Sequence, residues 1–141
     1  MFWDSSALVP LLVPEDQSTV LATLVADDKE VTIWWATPLE CHSALHRRHR
    51  EQPLPAAVMT TAIERIRTVV EHADTVSPSD ELRRRAARLL AVHPLRAADA
   101  LQLAAALLWC EEQPHAEGFV SLDVKLRDAA LKEGFSVLPT L

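Results

Sequence analysis

Four acidic residues stand where carboxylates can act together. Asp4 and Asp123 each follow a short apolar segment predicted as a β-strand, whereas Glu40 and Asp99 fall in the first turns of predicted helices. In parallel sheets the functional crevice lies at the carboxyl ends of the strands, so all four could surround one crevice. Two carboxylates ~4 Å apart repel by about 4 kcal/mol at an effective dielectric near 20, so a converging set needs a cation. Oxygen ligands of this kind suit Mg²⁺ or Mn²⁺, not zinc.

Each of these acids also has a structural interpretation. Asp4 and Asp123 are typical N-caps of the helices that follow them. Glu40 could be the second half of a capping box. Asp99 could pair with Gln102 on a thin stripe that faces solvent. The residues alone leave both interpretations open, and they support no more than an acidic crevice able to bind metal.

The element around Asp99 is predicted to lie at the centre of the domain. Residues 95–108 are small or aliphatic on nearly every side of a helix, which is typical of a buried helix. A buried charge is unfavourable unless it is paired or binds a metal. The position of Asp99 in this helix therefore favours a specific role for its carboxylate.

Strands and helices alternate along the chain. Apolar β-branched and aromatic segments predict strands at 1–4, 31–35, 118–123 and 135–138. Helical spacing and capping residues predict helices at 5–13, 16–27 and 37–50, then one through residues 59–70, one that starts at 77–80, and two more at 95–108 and 124–133. The fourth helix is predicted to be amphipathic, with an apolar face formed by Met59, Ile63, Ile66 and Val70. In the fifth we expect Leu82, Ala86 and Leu89 to point inward and Arg83, Arg84 and Arg88 to point outward. We expect the first helix to break near Pro10 and Pro14, and Thr37 to cap the third. The alternation predicts an α/β fold with a central, mostly parallel sheet flanked by helices.

Length and composition exclude several classes of protein. A chain of 141 residues predicts a single domain, 1–141, and 49% hydrophobic residues with only 2 glycines exclude a disordered chain. No apolar run is long enough to span a membrane, the start does not resemble a signal peptide, and two cysteines make no disulfide framework. We therefore expect a cytoplasmic protein. The net charge of −6 disfavours a nonspecific nucleic-acid coat, but a metal site would reverse the local sign.

Segments distributed over the whole chain together resemble a PIN domain, and most closely the VapC-type toxins of bacterial toxin–antitoxin pairs. They are Asp4–Val9, Glu40 at the start of the third helix, Leu95–Ala104 and Val120–Leu126. The Asp99 segment is the most specific of them. The resemblance implies a PIN-like three-layer domain that acts as a Mg²⁺- or Mn²⁺-dependent endoribonuclease, hydrolysing RNA phosphodiester bonds.

The resemblance also implies roles for individual residues. The catalytic, metal-binding set would be Asp4, Glu40, Asp99 and Asp123. Ser6 and Ser121 would support this set by hydrogen bonds to carboxylates or to water at the metal. Arg96, one turn before Asp99, is the basic residue we expect to hold a carboxylate or an RNA phosphate. Partners implied are an RNA substrate, a cognate antitoxin and a second copy in a homodimer.

Other functions remain as alternatives. The main one is a PIN-like scaffold that binds RNA or protein without cleavage. A receiver-like module is disfavoured because Asp4 is followed by serines and not by a second acid, and nucleases for structured DNA are usually larger. His42 and His46 have the spacing of a zincin pair but lack its glutamate. Trp34 and Trp35 could contact partners, although strand core is the favoured interpretation.

Overall fold

The computed structural model describes all residues from Met1 to Leu141. The strands are β1 (Phe2–Trp3), β2 (Thr32–Trp34), β3 (Asp74–Val76), β4 (Gly118–Val120) and β5 (Ser136–Leu138). The helices are α1 (Ser5–Leu12), α2 (Ser18–Asp27), α3 (Thr37–Glu51), α4 (Ala56–His72), α5 (Asp80–Val92), α6 (Ala97–Trp109) and α7 (Val124–Glu133). The predicted α/β class is confirmed. None of the helices has the length and apolar character needed to cross a bilayer.

The five strands form one sheet in the order β3-β2-β1-β4-β5, and every neighbouring pair is parallel. From β1 at its centre, the chain first builds outward through β2 and β3, and then through β4 and β5 on the other side. The direction of building therefore reverses between β1 and β4. Crevices at such reversals, beside the carboxyl ends of the strands, are where α/β sheets bind ligands.

Side-chain alternation along the strands divides the core into two layers. Trp3, Ile33 and Val120 point to one face of the sheet, where they pack with apolar residues of α1 to α4. Their strand neighbours Phe2, Trp34 and Phe119 point to the other face, toward α5, α6 and α7. The molecule therefore has three layers, with helices on both faces of the sheet.

Helix α6 is the most deeply buried helix, as its sequence predicts. Ala100 and residues 102–107 are all buried, and most of these positions are occupied by alanine. The prediction for α5 is also confirmed, because Leu82, Ala86 and Leu89 are buried while its arginines at 83, 84 and 88 are exposed.

The structure corrects the sequence interpretation in three places. Helix α1 continues through Pro10, whose buried ring offsets the one backbone hydrogen bond that a proline removes. Strand β3 was not predicted, because Asp74 and Thr75 are exposed at the sheet edge and show no apolar alternation. Helix α4 buries Ala62 and Ile66, whereas Ile63 remains 40% exposed.

Candidate active site

Neighbouring strands bring the first and last acids to one edge of the sheet. Strands β1 and β4 pair in register, with Trp3 opposite Val120. The backbone N–H of Asp4 then donates to the Val120 carbonyl at 2.9 Å. Asp4 and the segment that leads to Asp123 therefore leave the sheet side by side, at the reversal between β1 and β4.

Asp4 is buried and is held by serine donors. It is only 3% exposed. Its Oδ2 accepts hydrogen bonds from the Ser6 N–H at 3.3 Å, from the Ser6 hydroxyl and from the Ser121 hydroxyl at 2.9 Å. Burial raises the pKa of Asp4, the hydrogen bonds from Ser6 and Ser121 oppose that rise, and the charge of Asp99 adds to it. Ser6 and Ser121 thus donate directly to the Asp4 carboxylate.

The same two hydroxyls fix the segment before Asp123. The Ser6 Oγ accepts from the Leu122 N–H at 2.9 Å and from the Asp123 N–H at 3.2 Å. The Ser121 Oγ also accepts from the Asp123 N–H, at 3.1 Å. Asp123 itself is exposed and caps α7 by accepting the Leu126 N–H through Oδ1 at 2.8 Å. The capping interpretation of Asp4 and Asp123 is therefore correct, and it leaves part of each carboxylate available.

Glu40 faces the same serine segment from α3. Its Oε2 accepts from the Ser5 hydroxyl at 2.8 Å and from the Gln102 Nε2 at 3.1 Å. The Ser5 Oγ lies 3.4 Å from the Asp4 Oδ1 and so stands between the two acids. Burial raises the pKa of Glu40, the two hydrogen bonds oppose this, and the charges of Asp4 and Asp99 add to it.

The capping box predicted at the start of α3 is not formed. Ala36 occupies the N-cap position without a side-chain hydrogen bond, and Thr37 already lies inside the helix. The Thr37 hydroxyl is fully buried and accepts from the Gln102 Nε2 at 3.0 Å. Glu40 therefore uses its carboxylate for contacts to α1 and α6 and not for its own helix end.

Asp99 lies in the first turn of α6 and is partly exposed. The proposed pairing of Asp99 with Gln102 on a solvent-facing stripe is wrong, because Gln102 is completely buried and contacts Thr37 and Glu40. Burial raises the pKa of Asp99, and the charge of Asp123 raises it further, while Arg96 and Lys125 lower it. All four acids thus belong to one electrostatically coupled group.

Basic side chains act on this group only at a distance, since Arg96 and Lys125 lower the pKa of Asp99 without forming a salt bridge to it. None of the salt bridges in the structure includes Asp4, Glu40, Asp99 or Asp123. At their present spacing, no three His, Cys, Asp or Glu side chains form a group that could hold a metal ion. The chemistry of the donors, carboxylate oxygens supported by hydroxyl groups, nevertheless fits a hard cation such as Mg²⁺ or Mn²⁺.

The sequence did not assign three residues of this network to the site: Ser5, Thr37 and Gln102. Thr37 was predicted only as a helix cap, and Gln102 only as a partner of Asp99 on a solvent-facing stripe. A polar residue three positions after Asp99 within the most apolar helix was the available signal for Gln102. Its amide must reach a partner when buried. Nothing in the local sequence indicates that this partner is Glu40.

The remaining predicted features are placed as follows. Arg96 is exposed at the N-cap of α6, where it makes no salt bridge. The rings of His42 and His46 stack at 6.2 Å and belong to no metal-binding group. Trp34 lies in the core as favoured, but Trp35 is 61% exposed and is not a core residue.

Comparison with solved structures identifies the fold. A chain in a toxin–antitoxin complex from Klebsiella pneumoniae superposes with a TM-score of 0.65 at 17% identity, covering 98% of this chain and 95% of that chain. FitAcB from Neisseria gonorrhoeae gives 0.66 at 15% identity, over 98% and 96%. Mycobacterium tuberculosis VapC20, described as a sarcin–ricin loop cleaving toxin, gives 0.64 at 14% identity, over 91% and 93%. The fold is PIN-like.

The likeness is one of structure more than of sequence. No family model and no curated protein matches the chain. TM-scores of 0.64–0.66 at identities of 14–17% show that the chain shares the PIN-like fold of these structures over almost its full length. The acids gathered at the strand reversal lie where sheets of this class bind ligands.

Proposed function

We propose that this chain is a Mg²⁺- or Mn²⁺-dependent endoribonuclease, the toxin of a toxin–antitoxin pair, with residues 1–141 forming one PIN-like domain. The observation that supports it most is a hydrogen-bond network at the carboxyl edge of the sheet, in which Ser5 links Asp4 to Glu40 and Ser6 and Ser121 link Asp4 to the Asp123 backbone. None of these acids, nor Asp99, forms a salt bridge. Structural neighbours that include a sarcin–ricin loop cleaving toxin and a toxin–antitoxin complex favour RNA as substrate and an antitoxin as partner.

The metal would be held by Asp4, Glu40, Asp99 and Asp123. When bound, it would supply charge stabilisation at the scissile phosphate and activation of the attacking water. Because no three of these side chains form a metal-binding group at their present spacing, binding requires them to approach one another. The carboxylate charges repel one another until a cation is present.

The chain's own residues would orient the acids and contact the RNA. The Ser6 and Ser121 hydroxyls hold one oxygen of Asp4 and fix the segment that carries Asp123. Arg96 and Lys125 would contact RNA phosphates beside the acids, a role supported by their exposure and by their electrostatic effect on Asp99. We further propose that the active form is a homodimer.

Cleavage of total cellular RNA by the purified protein tests this function. We would map new 5′ ends by sequencing in four samples: with Mg²⁺, with Mn²⁺, with chelator, and with the Asp99→Asn variant. Discrete cuts that require metal and vanish in the variant are the expected result. Absence of cuts and of metal binding, from folded protein without antitoxin, would instead favour a binding scaffold without cleavage.

A further inference from the structure

The two oxygens of each hydrogen-bonded acid are treated differently by the protein. In Asp4, Oδ2 accepts three hydrogen bonds, while Oδ1 has only the long 3.4 Å contact with Ser5. In Glu40, Oε2 accepts from Ser5 and Gln102, and Oε1 accepts none. In Asp123, only Oδ1 accepts, from Leu126. Protein donors thus hold one oxygen of each acid and leave the other available.

Gln102, which donates to Glu40 from α6, is itself held in place by Thr37. Gln102 and Thr37 are both completely buried. The Gln102 Nε2 lies 3.0 Å from the Thr37 Oγ1 and 3.1 Å from the Glu40 Oε2. A carboxylate accepts only, so the amide group must present its nitrogen and not its oxygen to Glu40. Thr37 and Glu40 are three residues apart on α3, which makes this a two-point contact between helices.

Gln102 also belongs to the helix that carries Asp99. The two residues are three positions apart on α6, so they share one side of that helix. The hydrogen bond from Gln102 to Glu40 therefore fixes the position of the Glu40 carboxylate relative to Asp99. Without it, repulsion from Asp4 and Asp99 would favour rotation of the Glu40 side chain away from the crevice.

We propose that Gln102 is a positioning residue: with Thr37 it holds Oε2 of Glu40 so that Oε1 is presented to a divalent cation bound by the acidic group. This inference rests on the proposed metal-dependent function. Groups that orient metal ligands typically change metal affinity by about 10–100-fold when they are removed. Gln102 is not a catalytic residue, because its contacts are to Thr37 and Glu40 only.

The test measures Mn²⁺ affinity directly, by calorimetry and by electron paramagnetic resonance, in purified full-length protein without RNA. Gln102→Met, which keeps the length of the side chain, is expected to weaken Mn²⁺ binding by about 10-fold or more. Thr37→Val should weaken it in the same direction by a smaller factor. The matched control is Thr32→Val, since Thr32 is equally buried and its hydroxyl has no hydrogen-bond partner. It should bind Mn²⁺ as the wild type does.

A double-mutant cycle separates positioning from general loss of stability. If Gln102 acts through Glu40, Gln102→Met causes no further loss of Mn²⁺ affinity in a Glu40→Ala background. Unfolding in urea verifies that each variant is folded. If Gln102→Met does not fold, the same comparison is made with Thr37→Val.

The outcomes distinguish this inference from the function on which it rests. Wild-type Mn²⁺ affinity in folded Gln102→Met, or an equal loss with and without Glu40, would overturn the positioning role and leave the proposed nuclease intact. Failure of the wild type to bind Mn²⁺ would overturn the metal-dependent function, and the positioning role with it.

Discussion

Removal of the Ser121 hydroxyl is the most direct test of the hydrogen-bond network around Asp4. Ser121 is completely buried, donates to the Asp4 Oδ2 at 2.9 Å and accepts from the Asp123 N–H at 3.1 Å. The Asp123 N–H retains the Ser6 hydroxyl at 3.2 Å, so the bond to Asp4 is the main loss. A hydrogen bond to a charged group contributes about 1.5–3 kcal/mol, and we expect Ser121→Ala to lower the free energy of unfolding by about this amount near neutral pH.

This loss should depend on pH, because Ser121 stabilises the ionised form of Asp4. Burial already raises the pKa of Asp4, and loss of the Ser121 hydrogen bond raises it further. A carboxyl group whose pKa is higher in the folded state destabilises the fold as pH rises from the unfolded pKa to the folded pKa. The effect of Ser121→Ala on the free energy of unfolding is therefore complete above the folded pKa of Asp4 in the variant. It shrinks as pH falls toward the folded pKa of Asp4 in the wild type, because the unfolded pKa is the same in both proteins.

Urea unfolding in the presence of chelator, at neutral pH and again at about pH 4, measures this difference. Ser43→Ala is the matched control, because Ser43 is exposed on α3 and forms no side-chain hydrogen bond. Its free energy of unfolding should change by no more than about 0.5 kcal/mol. An equal loss for Ser121→Ala at both pH values would refute the reasoning, because the hydroxyl would then not act through the charge of Asp4.

Three further predictions concern the charge, the metal and the chain end. Asp99→Asn should abolish RNA cleavage while the free energy of unfolding is unchanged or higher, because burial and Asp123 both disfavour the charge; a soluble variant with wild-type cleavage would contradict the metal-ligand role. Mn²⁺ at about 100 times its dissociation constant should raise the free energy of unfolding by about 2.7 kcal/mol and raise the melting temperature, and a chelator should reverse both changes. No shift at millimolar Mn²⁺ would count against the site. Arg127→Leu removes hydrogen bonds to the carbonyls of Ser121, Leu138 and Pro139, and at about 1 kcal/mol each urea unfolding should show a loss of roughly 2–3 kcal/mol; an unchanged midpoint would show that these contacts do not stabilise the chain.

Helix spacing and strand composition were enough to predict most of the fold. The apolar residues of α5 repeat with helical periodicity, and burial follows that periodicity. Helix α6 is apolar on nearly every side and is buried at consecutive positions. Strand β3 lacks any such pattern, because its residues are mostly exposed and its pairing with β2 comes from tertiary structure. Ile63 shows the opposite failure, since helical spacing cannot tell which side of an apolar face remains exposed.

The acids of the site were predictable by position, but the groups that hold them were not. Asp4 and Asp123 follow strands, and Glu40 lies in a helical first turn, which local patterns indicate. The contact of Ser5 with Glu40 spans 35 residues, and that of Gln102 with Glu40 spans 62. Contacts over such separations depend on how layers of the fold meet and leave no local signal. The metal-binding role of the acids remains a prediction.

The neutral hydrogen-bond donors around the acids have a consequence for the order in which metal and RNA would bind. Their hydrogen-bond donors are neutral serine, glutamine and backbone groups, which stabilise a carboxylate without cancelling its charge. Several basic side chains are engaged elsewhere, as in the pairs of Arg48 with Glu15, Arg83 with Asp80 and Arg85 with Glu112. Because no salt bridge neutralises any of the four acids, their charge disfavours the approach of an RNA phosphate, and Arg96 and Lys125 offset this charge only at Asp99. A divalent cation would reverse the local sign, so under the proposed function metal must bind before RNA can reach the carboxylates.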